Sequence, residues 1–209
     1  MLCLFYFLSH NTTLLLFIKV ILQKKIIILI KNINFMICIR KTHRADCPAV
    51  TDLINRAFSN KQHSEYLSLT EMCGCGCDSG HFFSELSLVA EIDNHKIIGH
   101  IYLIEISISY TYPSLGLVQV AVAPEFQGLG VGSMLVENAH KMAMDMGYGL
   151  IISIGGKKLL TRLGYQSLAN FDNQYACDTT KDECLAYELY PGALTRAHKM
   201  VNFPLEYYQ

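Results

Sequence analysis

A chain of 209 residues, 51 % hydrophobic and 17 % charged, has room for one ordinary globular domain with some excess at an end. Its formal net charge of −1, with no long block of like charge, removes nucleic acid as a leading partner. Eight cysteines at 3, 38, 47, 73, 75, 77, 177 and 184 are too few and too unevenly spaced for a disulfide-stapled secreted fold, so a reducing cytosol is the expected compartment.

Residues 1–35 differ in kind from the rest of the chain. They contain no Ala, Gly, Pro, Asp, Glu or Arg, whereas all six types appear soon after Met36. Lys19, Lys24, Lys25 and Lys31 cut the stretch into apolar runs shorter than the roughly 20 residues that cross a bilayer. No basic residue precedes the first apolar run and no small-x-small cleavage site comes after it, which argues against a secretory signal. Phe, Ile, Leu, Lys, Asn and Tyr are what AT-rich DNA encodes when translated without selection. Residues 1–35 are therefore expected to be a spurious or non-essential extension, with a membrane-associated leader as the second reading. The domain is expected over 36–190, with a tail at 191–209.

From Met36 onward, "MICIRKT" alternates as a short strand. "RADCPAVTDLINRAFS" then spaces Ala49, Val50, Leu53, Ile54, Ala57 and Phe58 at helical intervals, with Asp46 as N-cap and Pro48 in the first turn. Asn60 to His81 is polar with no sustained period, and is expected to be a loop or short helix. "ELSLVAEID" and "KIIGHIYLIEISISY", joined by Asp93-Asn94-His95, predict an antiparallel hairpin. "GLVQVAVAP" predicts a strand ended by Pro124. Val131, Met134, Leu135, Asn138, Ala139, Met142 and Met146 predict one face of a helix stopped by Gly147. "GLIISI" predicts a strand, "KKLLTRLG" a short helix, "YQSLA" a strand start and "ECLAYELY" a last strand. Strands and helices mixed in this way, without regular βαβ alternation, indicate an α+β or mixed α/β domain.

The informative stretch is "VAPEFQGLGVGSML", where Gly128, Gly130 and Gly132 stand between a strand and a helix. The first amides of a helix lack intrahelical partners and carry the positive end of its dipole, so bare glycines there admit an anion, and a pyrophosphate suits a row of such donors. The spacing is not that of a dinucleotide fingerprint: it is G-x-G-x-G, late in the chain, with no acid at the end of the next strand. It is not a P-loop either, since no Lys-Ser or Lys-Thr succeeds the glycines. A turn that merely packs a helix on a sheet is the alternative.

The longer string "VAVAPEFQGLGVGSMLVENAHKMAMDMGY" resembles the acetyl-CoA signature of the GNAT superfamily of N-acetyltransferases, in which Arg or Gln is followed after two residues by Gly, any residue, and Gly or Ala. The order of elements from about Met36 to Tyr190 fits, and "LTRLGYQ" and "LAYELYPGAL" are similar to the C-terminal pieces of its predicted small bacterial-type acetyltransferases. The resemblance implies a central, mostly antiparallel sheet splayed between two strands and flanked by helices. By the same resemblance, acetyl-CoA is the co-substrate, and Gln127, Gly128, Leu129, Gly130, Val131, Gly132 and Ser133 hold its pyrophosphate. Val120, Ala121 and Val122 would pair with the pantetheine arm as a peptide adds to a sheet edge. The N–H near Val122 would face the thioester carbonyl. The acceptor would be a small-molecule amine or a protein amino group. A membrane is not expected as a partner, and a homodimer is left open.

Candidates for taking the amine's proton are Glu85, His100, Glu105 and Gln119, the last only through an ordered water because an amide is no base. The Tyr that protonates the departing thiolate in many relatives has no counterpart, since Leu159 and Leu160 stand in its place; Tyr165 is the alternative donor, and a core aromatic is the competing reading of it. Cys73, Cys75, Cys77 and His81 offer four soft ligands within one short loop, but alternate cysteines do not match structural zinc, and no metal is expected. Two other functions are compatible with these features: a non-catalytic acyl-CoA-binding or sensing domain, suggested by Leu159 and Leu160, and a metal or redox module on the cysteine loop.

Overall fold

The computed structural model divides into two units, Met1–Met36 and Ile37–Gln209, and describes residues 36–59, 84–106, 113–168 and 184–194, nearly all in the second. The loop from Asn60 to His81, with Cys73, Cys75 and Cys77, falls outside the described residues.

Seven strands form one sheet: β1 (Cys38–Lys41), β2 (Ser87–Ile92), β3 (Lys96–Ile106), β4 (Ser114–Val122), β5 (Leu150–Ile154), β6 (Gln166–Ser167) and β7 (Cys184–Glu188). Their order is β1-β2-β3-β4-β5-β7-β6, and every pair is antiparallel except β4 with β5. Helix α1 (Cys47–Ala57) connects β1 towards β2, α2 (Val131–Asp145) connects β4 to β5, and the one-turn α3 (Lys157–Leu160) comes after β5. The one parallel pair arises because α2 carries the chain back across the sheet before β5 begins, as a parallel crossover must.

The two long helices among the described residues cover opposite faces. On one, Val50, Leu53 and Ile54 of α1 pack with Val89, Tyr102, Ile104 and Ala121. On the other, Gly99 of β3 lies under α2 so closely that a Cβ there would be 2.9 Å from Leu135 Cδ1 and 3.0 Å from Val131 Cγ1. The buried stripe of α2 is Val131, Leu135, Val136, Ala139, His140 and Ala143. It is thus rotated from the face expected from the methionines, and Met146 is exposed. The reason is non-local: His140 stacks on Tyr187 of β7, centroid to centroid 4.0 Å, and its Nε2 lies 3.0 Å from the Tyr165 hydroxyl, which pulls that side of the helix inward.

Two local details also differ from expectation. Asp46 stands at the N-cap of α1, but its carboxylate caps no amide of that helix. It accepts instead from the His43 amide and from both Nη atoms of Arg40, which also bonds Glu91 of β2, and so ties the turn after β1 to the edge of the sheet. The Arg40 guanidinium, through these hydrogen bonds, holds the Asp46 carboxyl below its usual range. At the other end of the domain the packing runs past Tyr190, since Ala193 and Leu194 are buried and the Leu194 amide donates to Glu188.

Candidate active site

The site begins where two strands stop pairing. β4 and β5 run together from Ser114↔Leu150 to Leu117↔Ser153, and beyond Leu117 the chain of β4 continues to Val122, paired among the described residues with β3 alone. At the point of parting, Val118 is an extra residue in β4, because the β3 register steps from Tyr102↔Gln119 to Leu103↔Leu117. Bulges of this kind bend a strand away from its partner. The direction of the freed groups comes from one bond: the Ala123 amide donates to Ile98 O at 2.9 Å, so Ala123, Ala121 and Gln119 are the residues that bond β3. Val120 and Val122 alternate with them, and turn their N–H and C=O into the opening. Ala121, expected to contribute its main chain to a cofactor, turns it towards β3 instead. This is the two-residue period of a strand, which no reading of three consecutive residues as one binding edge can escape.

The glycine turn lies at the mouth of this opening. Gln127 reaches back so that its Nε2 donates to Val122 O at 3.0 Å, fixing the turn to the end of β4. Gly128 and Gly130 have φ of 75° and 90°, and a Cβ on either would meet nothing within 4 Å. Their need for glycine is therefore conformational, and the space beside them is open. Gly130 is the N-cap of α2, whose ladder begins with the Met134 amide donating to Gly130 O at 3.0 Å. The amides of Val131, Gly132 and Ser133 are thus the helix's orphan donors. No acidic side chain stands in that first turn to compete with an incoming anion.

Gly132 serves a different purpose. A Cβ there would be 3.3 Å from Leu159 Cδ2, 3.7 Å from Val122 Cγ2 and 3.9 Å from Val120 Cγ1. The start of α2 and the start of α3 face each other across the opening with the two valines of β4 between them. Leu159 is the half-buried residue that reaches the opening, whereas Leu160 is 1 % exposed and belongs to the core.

Residues 78–174 match the family model of the acetyltransferase (GNAT) domain. Over that stretch the chain is similar to the GNAT acetyltransferases. It is similar to an N-acetyltransferase of Escherichia coli, YhbS, described as uncharacterized, at 21 % identity over 159 residues, covering 76 % of this chain and 90 % of the relative. The crystal structure of YhbS in complex with CoA superposes with a TM-score of 0.69 at 20 % identity, over 84 % of this chain and 93 % of that one. A GNAT acetyltransferase from Brucella melitensis, solved with acetyl-CoA, gives 0.57 at 23 % identity, over 74 % and 90 %.

Within this domain the candidate proton acceptors are scattered. Gln119 is buried on the α1 face of β4, next to the bulge. Glu85 is exposed in the turn Ser84–Leu86 before β2, and β3 separates that strand from β4. Glu105 accepts the Tyr148 hydroxyl on the α2 face, and burial together with this bond and the charges of Glu105 and Glu85 holds that phenol well above its ordinary value. His100 is fully buried on the α1 face, its Nε2 2.9 Å from Ser87 Oγ, which is in turn 2.7 Å from Thr42 Oγ1. Burial pushes the imidazole down to about 4, so it is neutral at pH 7 and sealed from any amine. Tyr165 is engaged with His140 in the core, as the competing reading of it held, and burial raises its hydroxyl well above the ordinary range. Among the described residues no group of three His, Cys, Asp or Glu could hold a metal ion, and no helix is long and apolar enough to cross a membrane.

The residues that sequence reasoning passed over are Val118, whose bulge parts the strands, and Gly99, which lets α2 lie close to β3. A glycine inside an otherwise β-branched strand was the available signal for the second.

Proposed function

We propose that this GNAT domain binds acetyl-CoA in the opening between β4 and β5 and transfers the acetyl group directly to a primary amine. The observation that carries the reading is the alternation that turns Val120 and Val122 into the opening beside the orphan amides of α2. The amides from Gln127 to Ser133 would take the pyrophosphate. The Val120 main chain would pair with the amides of the pantetheine arm. The Val122 N–H would stabilise the oxyanion as the amine nitrogen attacks the thioester carbon. The C–S bond then breaks and the thiolate leaves.

Gln119 is the best-placed candidate for ordering a water that takes the amine's proton, because it sits at the bulge, on the face opposite the cofactor turn. Glu85 could contribute only from two strands away. Leu159 gives the departing sulfur an aliphatic neighbour instead of an acid, which is tolerable because a thiol has a pKa near 8.5. Family and neighbouring structures favour catalysis over a purely sensing role. The acceptor is a small-molecule amine or a protein amino group.

Calorimetric titration of acetyl-CoA, beside a Gly130→Glu variant, tests the site. Binding by the wild type and not by the variant supports the assignment; no binding by folded wild type overturns it. Turnover on a panel of amines then tests transfer. A cytoplasmic location is supported by cysteine spacing and by the free thiols of Cys38 and Cys47, although Cys184 is disulfide-bonded. Trapping cellular thiols before lysis decides the point, since a Cys184 disulfide that survives trapping speaks for an oxidising compartment.

A further inference from the structure

The turn between β4 and α2 is held from outside as well as from within. Its first part is the one-turn helix Pro124–Phe126, in which Phe126 N donates to Ala123 O at 2.8 Å. Glu125, in the middle of that turn, meets Arg56 from the last turn of α1: Arg56 Nη2 is 2.7 Å from both carboxylate oxygens. Arg56 is itself steadied by Asp52 one turn earlier, Nη1 to Oδ2 3.6 Å. Lys96, the first residue of β3, adds a second cation 3.6 Å from Glu125 Oε1 and stands over the Phe126 ring, 5.3 Å from its centroid. Beneath these charges Ala57, Phe58, Ile97 and Phe126 pack against the core. The end of α1, the start of β3 and the entrance to the glycine turn therefore meet at one point, joined by residues 69 apart in the chain.

We propose that Arg56 and Glu125 form a strap that positions the glycine turn for acetyl-CoA and, in return, couples occupancy of that site to the stability of the C-terminal turn of α1. The proposal rests on the assignment of acetyl-CoA to the opening between β4 and β5. Arg56 reaches the turn from α1, which packs on the face of the sheet opposite α2, so the strap acts through backbone position rather than by touching the ligand. An exposed pair contributes little to the stability of a whole fold, but it can select among the conformations of a short turn whose glycines impose few preferences of their own. Coupling of this kind is reciprocal: if the strap favours acetyl-CoA, then acetyl-CoA favours the strap. The trio of Arg56, Lys96 and Glu125 also carries one net positive charge, which supplies a rival, purely electrostatic account of any effect on an anionic ligand.

A double-mutant cycle of Arg56→Met and Glu125→Gln in the full chain separates the two. Calorimetry reads acetyl-CoA affinity, thermal unfolding reads the free protein, and hydrogen exchange reads the amides of Ile54–Phe58. A strap predicts that each single variant weakens binding by about 3- to 6-fold, that the double variant is no weaker than either, and that the unfolding temperature barely moves. It also predicts that acetyl-CoA slows exchange at the end of α1 in the wild type and not in Glu125→Gln. The proposal is overturned if Glu125→Gln binds as well as or better than wild type, which is the electrostatic outcome, or if the two substitutions add. Failure of the wild type itself to bind acetyl-CoA would instead remove the underlying site assignment.

Discussion

Lowering the pH from 7 to 4.5 should unfold this domain through two histidines rather than through its carboxylates. His100 is fully buried and His140 is 9 % exposed, and burial holds each near a pKa of about 4 against an ordinary value of 6.5. The unfolded chain therefore takes up two protons below pH 6.5 that the folded chain refuses until about pH 4. Stability is complete above 6.5 and falls as the pH drops, by about 1.4 kcal/mol per unit for each histidine. Between 6.5 and 4.5 the pair thus removes roughly 5 kcal/mol, which is comparable to the whole stability of an ordinary domain. Asp46, Glu91 and Glu125 act in a different window, because their carboxyls are held below their usual values and their contribution is lost only as the pH falls below about 4. Urea unfolding followed by circular dichroism at several pH values from 7 to 4.5 measures the slope. The expectation is about 2.7 kcal/mol per pH unit below pH 6 for the wild type, and about half of that for His140→Phe or for His100→Gln. The offset each substitution adds at neutral pH does not matter, since the slope alone counts titrating groups. A wild-type slope below about 0.7 kcal/mol per unit, or a slope that both variants leave intact, would refute the reasoning.

The geometry of the opening sets further outcomes. Gly132→Leu fills the space between α2, Leu159 and the two valines, and should reduce acetyl-CoA affinity at least about 100-fold by calorimetry while the protein stays folded by circular dichroism. Gly99→Ala forces a methyl against Leu135 and Val131 and should destabilise the domain by about 1–3 kcal/mol in urea, with weaker acetyl-CoA binding because the start of α2 shifts. Leu159→Tyr supplies a hydroxyl at the opening and should raise kcat on a reactive amine by several-fold if thiolate departure limits the rate; an unchanged kcat would show that another step does.

Most of the individual elements could be read from the chain because they depend on neighbours close in sequence. The helix of α1, the hairpin of β2 and β3, the end of β4 at Pro124 and the stop of α2 at Gly147 all come from local periodicity and turn chemistry. The positive φ of Gly128 and Gly130 is of the same kind, which is why the glycine string could be taken as a bare turn before a helix start.

The order and type of the elements and the place of the glycine turn were therefore determined by the sequence itself. Tertiary structure decided which groups meet in that turn. The parting of β4 from β5 after Leu117 and Ser153 depends on a bulge that exists only in the register with β3, and that register turns Val120 and Val122 towards the opening and Ala121 away. The choice of Leu159 over Leu160 to line the opening, the sealing of His100 behind Ser87 and the reach of Arg56 to Glu125 each need two segments far apart in the chain to be brought together. Residue spacing encodes the direction of a side chain on its own element, but not which element will lie opposite, because that is set by how the sheet and the helices packed on it share one buried volume.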